Sequence, residues 1–166
     1  YPFLARCKFF NIINIYKAHI DKLIRGDDKN VAHAVNKGII AATGEYVLQL
    51  CDDDLIDPGE MERAVKYLNE HPEIDLLVCG GIKKTPQGDI QVMAPPDYGH
   101  SCEDVFKYGA CSTGFIYRRE VFAKFGLINT DYVAIDREFA LRVIANGGVE
   151  RFFPARLYLH AIHAES

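Results

Sequence analysis

The sequence has no CxxC pair, no apolar run approaching a membrane span and no surplus of positive charge, and each absence removes a class of protein. The cysteines, Cys7, Cys51, Cys79, Cys102 and Cys111, are odd in number and scattered. That argues against a zinc framework or a disulfide scaffold and for reduced, mostly buried thiols in a cytosolic protein. The longest apolar stretches, such as residues 74–79, fall far short of the ~20 residues that cross a bilayer. The formal net charge of −4 speaks against a nucleic-acid partner, which usually selects a basic surplus. Basic residues between Lys17 and Arg25 read as a solvated helix face. The start, Tyr1-Pro2-Phe3-Leu4, carries neither an initiator Met nor the charged segment of a signal peptide, so the chain reads as a fragment or a trimmed product.

What is there is an ordinary globular balance, 49% hydrophobic and 25% charged, which excludes disorder as the general state. A chain of 166 residues predicts one domain, spanning 1–166, that buries roughly 68–70% of its unfolded surface. Helical spacing of apolar residues predicts helices over Phe9–Ile24, Val31–Ala42, Gly59–Glu70 (opened by Pro58), Ser101–Tyr108, Arg119–Phe125 and Ala134–Asn146. Short β-rich runs predict strands at Tyr46–Leu50, Asp75–Cys79, Gly114–Tyr117, Val149–Phe153 and Leu157–Ile162. Residues 83–98, rich in Pro, Gly and Asp, read as a hairpin or loop. Strands alternating with helices predict an α/β sandwich with a mostly parallel sheet.

The densest chemistry is Asp52-Asp53-Asp54, directly after the Tyr46–Leu50 strand. Adjacent carboxylates repel one another. A divalent cation such as Mg²⁺ or Mn²⁺ relieves that repulsion, since hard ions take oxygen ligands. The carboxyl ends of strands are also where ligands bind in open α/β sheets. The plainer alternative is a solvated acidic turn leading into a helix N-terminus, where Asp is favoured.

The surrounding residues add a resemblance. The run from Asn36-Lys37-Gly38-Ile39 through Gly44-Glu45-Tyr46 and Val47-Leu48-Gln49-Leu50 to Cys51-Asp52-Asp53-Asp54, followed by Pro58, resembles the core of the family 2 inverting glycosyltransferases. Upstream, Asp28-Lys29-Asn30-Val31 with Ala34 is similar to the form found in members that build bacterial surface polysaccharides. Downstream, Phe115-Ile116-Tyr117-Arg118-Arg119-Glu120-Val121-Phe122 with Gly126, and Asp136 with Arg142, resemble two further family segments.

The resemblance implies a GT-A-like (Rossmann-like) three-layer α/β sandwich lacking its first strands, because the opening strands usual in the family have no counterpart here. It implies a metal-dependent, inverting transfer of a sugar from a nucleotide-sugar donor, a UDP-sugar being the first expectation, to a saccharide or lipid-linked acceptor. It implies Mn²⁺ or Mg²⁺ held by Asp53, Asp54 and His163, a donor contacted by Asp28, Asn36, Asp52 and Asp53, and Asp136 as general base. Family habit adds a cytoplasmic location and peripheral association with the inner face of the membrane.

Plainer roles stand beside these. Asn36 could fix a loop, Asp136 could be a helix-start acid paired with Arg137 or Arg142, and His160 competes with His163. Several positions depart from the family. Cys51 stands where an Asp or Asn is usual, Asn30 replaces a Gly, Ile135 replaces an acid or small polar residue, and Cys111-Ser112 replaces His-Gln. Two readings compete with an active transferase: a non-catalytic remnant or scaffold module of the same fold, and another metal-dependent phosphate-ester enzyme such as a nucleotidyltransferase.

Overall fold

The computed structural model describes residues 13–93, 99–104 and 112–161. Among these, six strands form one sheet: β1 (Tyr46–Leu48), β2 (Asp54–Ile56), β3 (Leu76–Thr85), β4 (Gly88–Val92), β5 (Phe115–Arg118) and β6 (Glu150–Ala161). Their order is β1-β5-β3-β6-β2, with β4 pairing to the outer half of β3. Beside the sheet, the described residues include the helices α1 (Val31–Ala41), α2 (Pro58–Glu70), α3 (Val121–Phe125) and α4 (Ile135–Ala145).

The α/β layering follows from period-two alternation along the central strands. Leu76, Val78, Phe115 and Tyr117 face one side, where they pack with Ala32 and Ile39 of α1, Val121 and Phe122 of α3, and Phe139, Ala140 and Val143 of α4. Leu77, Cys79 and Ile116 face the other side and meet Ala64 and Leu68 of α2. Full burial of one such Leu or Phe contributes about 1.5–3 kcal/mol, so the two apolar faces account for much of what holds three layers together.

The sheet departs from the expected mostly parallel arrangement. It is mixed: β3 and β6 run parallel, while β1–β5, β3–β5, β3–β4 and β2–β6 are antiparallel. Strand–helix alternation suggested successive βαβ units, but β5 is inserted antiparallel between β1 and β3. The two late strands expected at 149–153 and 157–162 are one strand. β6 is bent where Cys79 pairs with Phe153 and the neighbouring Gly80 pairs with Arg156. Pro154, which has no N–H to donate, falls in that irregularity, where a ladder tolerates it.

Two of the helices begin with capping side chains. Asn30 caps α1, its Oδ1 accepting from the His33 N–H at 3.0 Å. Asp57 caps α2 in the same way through the Glu60 N–H, with Pro58 at the first helical position. The buried stripe of α1 is rotated from the apolar face expected: Ala32, Asn36 and Ile39 are buried, whereas Val31 and Gly38 are exposed. The first predicted helix is also cut short. Residues 13–16 and the tight turn Lys17–His19 are helical, but residues 20–24 are not.

Candidate metal-binding site

Leu50 and Cys51 carry the chain past the end of β1, and a turn at Asp52 and Asp53 leads into β2. The three aspartates therefore do not share one environment. Asp54 is the first residue of β2 and only 5% exposed, while Asp52 and Asp53 remain exposed on the turn. Alternation sends Leu55 outward and Asp54 inward.

A buried carboxylate needs partners, and Asp54 has them. Its Oδ1 lies 2.6 Å from Nδ1 of His160, its cross-strand neighbour on β6. Its Oδ2 accepts a hydrogen bond from the hydroxyl of the fully buried Thr113, in the tight turn Ser112–Gly114 that opens β5. Asp54 is thus fixed by two groups distant in sequence.

Around it, Sγ of Cys51 and carboxylate oxygens of Asp53 and Asp54 all lie within 4.8 Å of one another. A sulfur, an exposed carboxylate and a braced carboxylate form a donor set suited to a divalent ion. The expected ligand pair Asp53 and Asp54 is brought together here, and Cys51 joins it. Asp52 does not belong to this group. His163 lies outside the described residues. The role weighed for His160 takes a different form, since it holds Asp54.

The other expected site residues occupy two further places. Asp28 pairs with Nζ of Lys37 at 2.8 Å, just before α1. Asn36 is buried and uses both ends of its amide on one residue: Nδ2 donates to the Ile128 carbonyl at 2.8 Å, and Oδ1 accepts the Ile128 N–H at 2.9 Å. That is the loop-fixing role. Asn30 adds a second tie, Nδ2 donating to the Thr130 carbonyl at 2.6 Å. Together α1 holds the segment that leads into α4.

Asp136 sits in the first turn of α4, partly buried, its Oδ1 accepting the Arg137 N–H at 2.8 Å. Burial chiefly, with a smaller push from the Asp136 carboxylate, holds the Tyr117 hydroxyl far above its ordinary pKa. Arg142 does not pair with Asp136. It grips Glu138 through two contacts, at 2.7 and 3.1 Å, and donates to the carbonyls of Phe125 and Leu127. Arg118 and Arg119 are likewise scaffold residues: they donate to the carbonyls of Ile74, Leu68 and Gly44.

Thr113 escaped the sequence reading altogether. Its one signal is a hydroxyl immediately before Gly114 and an apolar strand, too common to select. Cys51 was visible only as a departure.

The chain resembles known proteins in sequence and in fold. The chain is 28% identical to a PGL/p-HBAD biosynthesis glycosyltransferase of Mycobacterium bovis and to its counterpart in Mycobacterium tuberculosis, over 93% of this chain and 58% of theirs. It therefore spans little more than half the length of those relatives. Its fold matches S. aureus TarS with a TM-score of 0.73 at 17% identity, over 93% of this chain and 48% of that one. TarS in complex with UDP-GlcNAc gives 0.70 at 17% identity, over 94% and 46%. The mannosyltransferase PcManGT from Pyrobaculum calidifontis, in complex with GDP-Man and Mn²⁺, gives 0.61 at 18% identity, over 87% and 40%. The model of glycosyl transferase family 2 matches residues 12–126, well over half of the chain, and the protein belongs to that family.

Proposed function

We propose that the protein transfers a sugar from a nucleotide-sugar donor to a saccharide or lipid-linked acceptor, with inversion at the anomeric carbon. The observation that carries this reading is the convergence of Cys51, Asp53 and Asp54 on one small volume within a family 2 glycosyltransferase domain. Of these, Asp53 and Asp54 would hold Mn²⁺ or Mg²⁺, with Asp53 as the principal oxygen donor and Asp54 braced behind it. When bound, the ion supplies positive charge against the donor diphosphate and makes it a better leaving group.

The chain's own groups then divide the work. Asp28, Asp52 and Asp53 face the nucleotide, and Asn36 serves it by holding the Ile128 loop. Asp136 takes the proton of the acceptor hydroxyl as general base. The acceptor oxygen attacks the face of the sugar opposite the diphosphate, which inverts the centre. UDP-sugars are the first donors to test, since relatives of this fold are known bound to UDP-GlcNAc and GDP-Man. Among the described residues no helix is long and apolar enough to cross a membrane. The reading places the reaction on the cytoplasmic side, at or near the inner face of the membrane.

Calorimetric titration with UDP and GDP, with and without Mn²⁺, tests the reading. Metal-dependent nucleotide binding that disappears in Asp53→Ala is expected. A folded protein that binds neither nucleotide with Mn²⁺ would instead be a module of this fold without donor affinity. Given binding, Asp136→Asn should lower turnover about 10²–10⁴-fold, the usual worth of a general base, and leave nucleotide affinity in place.

A further inference from the structure

We propose that Cys51 is itself a metal donor, and that its sulfur gives this site a preference for the borderline ions Zn²⁺ and Co²⁺ over Mg²⁺. The inference rests on the metal-site reading above and concerns which ion that site selects.

Two features of the site support it. First, Sγ of Cys51 stands within 4.8 Å of ligand oxygens on both Asp53 and Asp54. Donors of one tetrahedral zinc ion lie about 3.4–3.6 Å apart, by the usual Zn–S and Zn–O lengths. Side-chain rotations that draw the three donors together by about 1 Å close the set. Second, the three donors differ in exposure. Both oxygens of Asp54 hold hydrogen bonds from Thr113 and His160, which aim the carboxylate. Asp53 is exposed and Cys51 partly exposed, so an ion reaches both from solvent. Cys79, in contrast, is locked in the core beside α2.

The chemistry then sets the order of preference. Mg²⁺ asks for hard oxygen ligands in a near-octahedral shell and gains little from sulfur. Zn²⁺ and Co²⁺ accept sulfur, nitrogen and oxygen together. On binding, the thiol proton leaves to solvent and an S–metal bond replaces the S–H bond, with no change of oxidation state. An Asp at this position would offer oxygen only, so the preference belongs to the cysteine.

The test is spectroscopic. The chelator-treated protein is titrated with Co²⁺, and the near-ultraviolet sulfur-to-cobalt charge-transfer band is followed. Mn²⁺ binding is read in parallel by water relaxation. The wild type should show the band. Cys51→Ser should lose it and lose at least roughly tenfold in Zn²⁺ affinity, because loss even of a ligand's outer partner costs about 10–100-fold. Its Mn²⁺ binding through Asp53 should persist, which also shows that the variant folds. Cys51→Asp should lack the band and gain affinity for Mg²⁺. A band unchanged in Cys51→Ser overturns the inference. So does an absent band in a wild type that binds Mn²⁺ in an Asp53-dependent way, and that result leaves the metal site itself standing. If the wild type binds none of these ions, the inference and the metal-site reading fail together.

Discussion

Thr113, Asp54 and His160 show how much a single buried carboxylate demands. Removing one partner leaves the carboxylate underbonded in the interior, which costs about 1–3 kcal/mol. Thr113→Val keeps the shape and deletes the hydroxyl, so urea denaturation should show a loss of that size, and Mn²⁺ should bind more weakly as Asp54 loosens. Stability unchanged within a few tenths of a kcal/mol would mean that Asp54 finds another donor. The cysteines divide just as sharply. Burial pushes the Cys79 thiol up to about 12, so almost none of it is thiolate at pH 8, and its side chain has no exposed surface. Alkylation followed by peptide mass spectrometry should modify Cys51 well before Cys79, and metal ions should protect Cys51 selectively. Equal rates at both positions would contradict the packing of the α2 face. At this scale the run Asp52-Asp53-Asp54 stood out in the sequence, whereas Asp136 was marked only by the family resemblance. The sequence could not separate exposed Asp53 from buried Asp54, since which aspartate turns inward depends on a strand pairing made with residues about a hundred positions away.

That strand, β2, is the element hardest to read locally. Three residues beginning with Asp carry no alternating apolar pattern, and β2 exists because β6 offers its edge. The first predicted helix stops early for the opposite reason: over residues 20–24 its spacing is good but Leu23 and Ile24 stay in solvent. Ile15, Tyr16, Leu23 and Ile24 are all exposed, and a helix in water draws most of its stability from packing an apolar face. The helices α2 and α4, whose faces do meet the sheet, appear within a residue or two of their predicted bounds. A further rule operates at β3, where the neighbouring strand changes from β5 to β4. A Cβ on Gly80 would stand 2.5 Å from the Val92 carbonyl and 2.8 Å from the Ala155 carbonyl, both backbone atoms that cannot swing away. A Cβ on Gly81 would lie 2.6 Å from the Tyr158 ring. Gly80→Ala should therefore destabilise by at least the ~1–3 kcal/mol typical of overpacking. Gly88→Ala meets no atom within 4 Å but sits at a φ of +128°, so its cost is strain alone. Thermal melts of the two variants separate crowding from strain.

For the whole molecule, the α/β class and the three layers were legible from the alternation of elements. The direction of the strands was not, because alternation counts crossovers without saying on which side of the sheet each returns. The mixed order has an energetic corollary. The proposed donor set lies at the turn between β1 and β2, strands at opposite ends of the sheet order, so its geometry depends on the folded sheet. Saturating Mn²⁺ with nucleotide, at about a hundred times its dissociation constant, should add about 2.7 kcal/mol to stability. A rise in melting temperature that is present in the wild type and absent in Asp53→Ala is the expected readout. An equal rise in both would locate the ion elsewhere.

The pairing of Asp54 with His160 also has a consequence in time. The two residues are separated by 106 positions, and Thr113 stands 59 positions from Asp54. During synthesis on the ribosome, Asp53 and Asp54 emerge long before the strand that will enclose one of them. The nascent chain thus carries an open acidic turn through most of its translation, and the site closes only when β6 docks beside β3 and β2. Contacts so distant form late and slowly. The bracing of Asp54 is therefore completed only late in folding, after the turn that carries it has already been made.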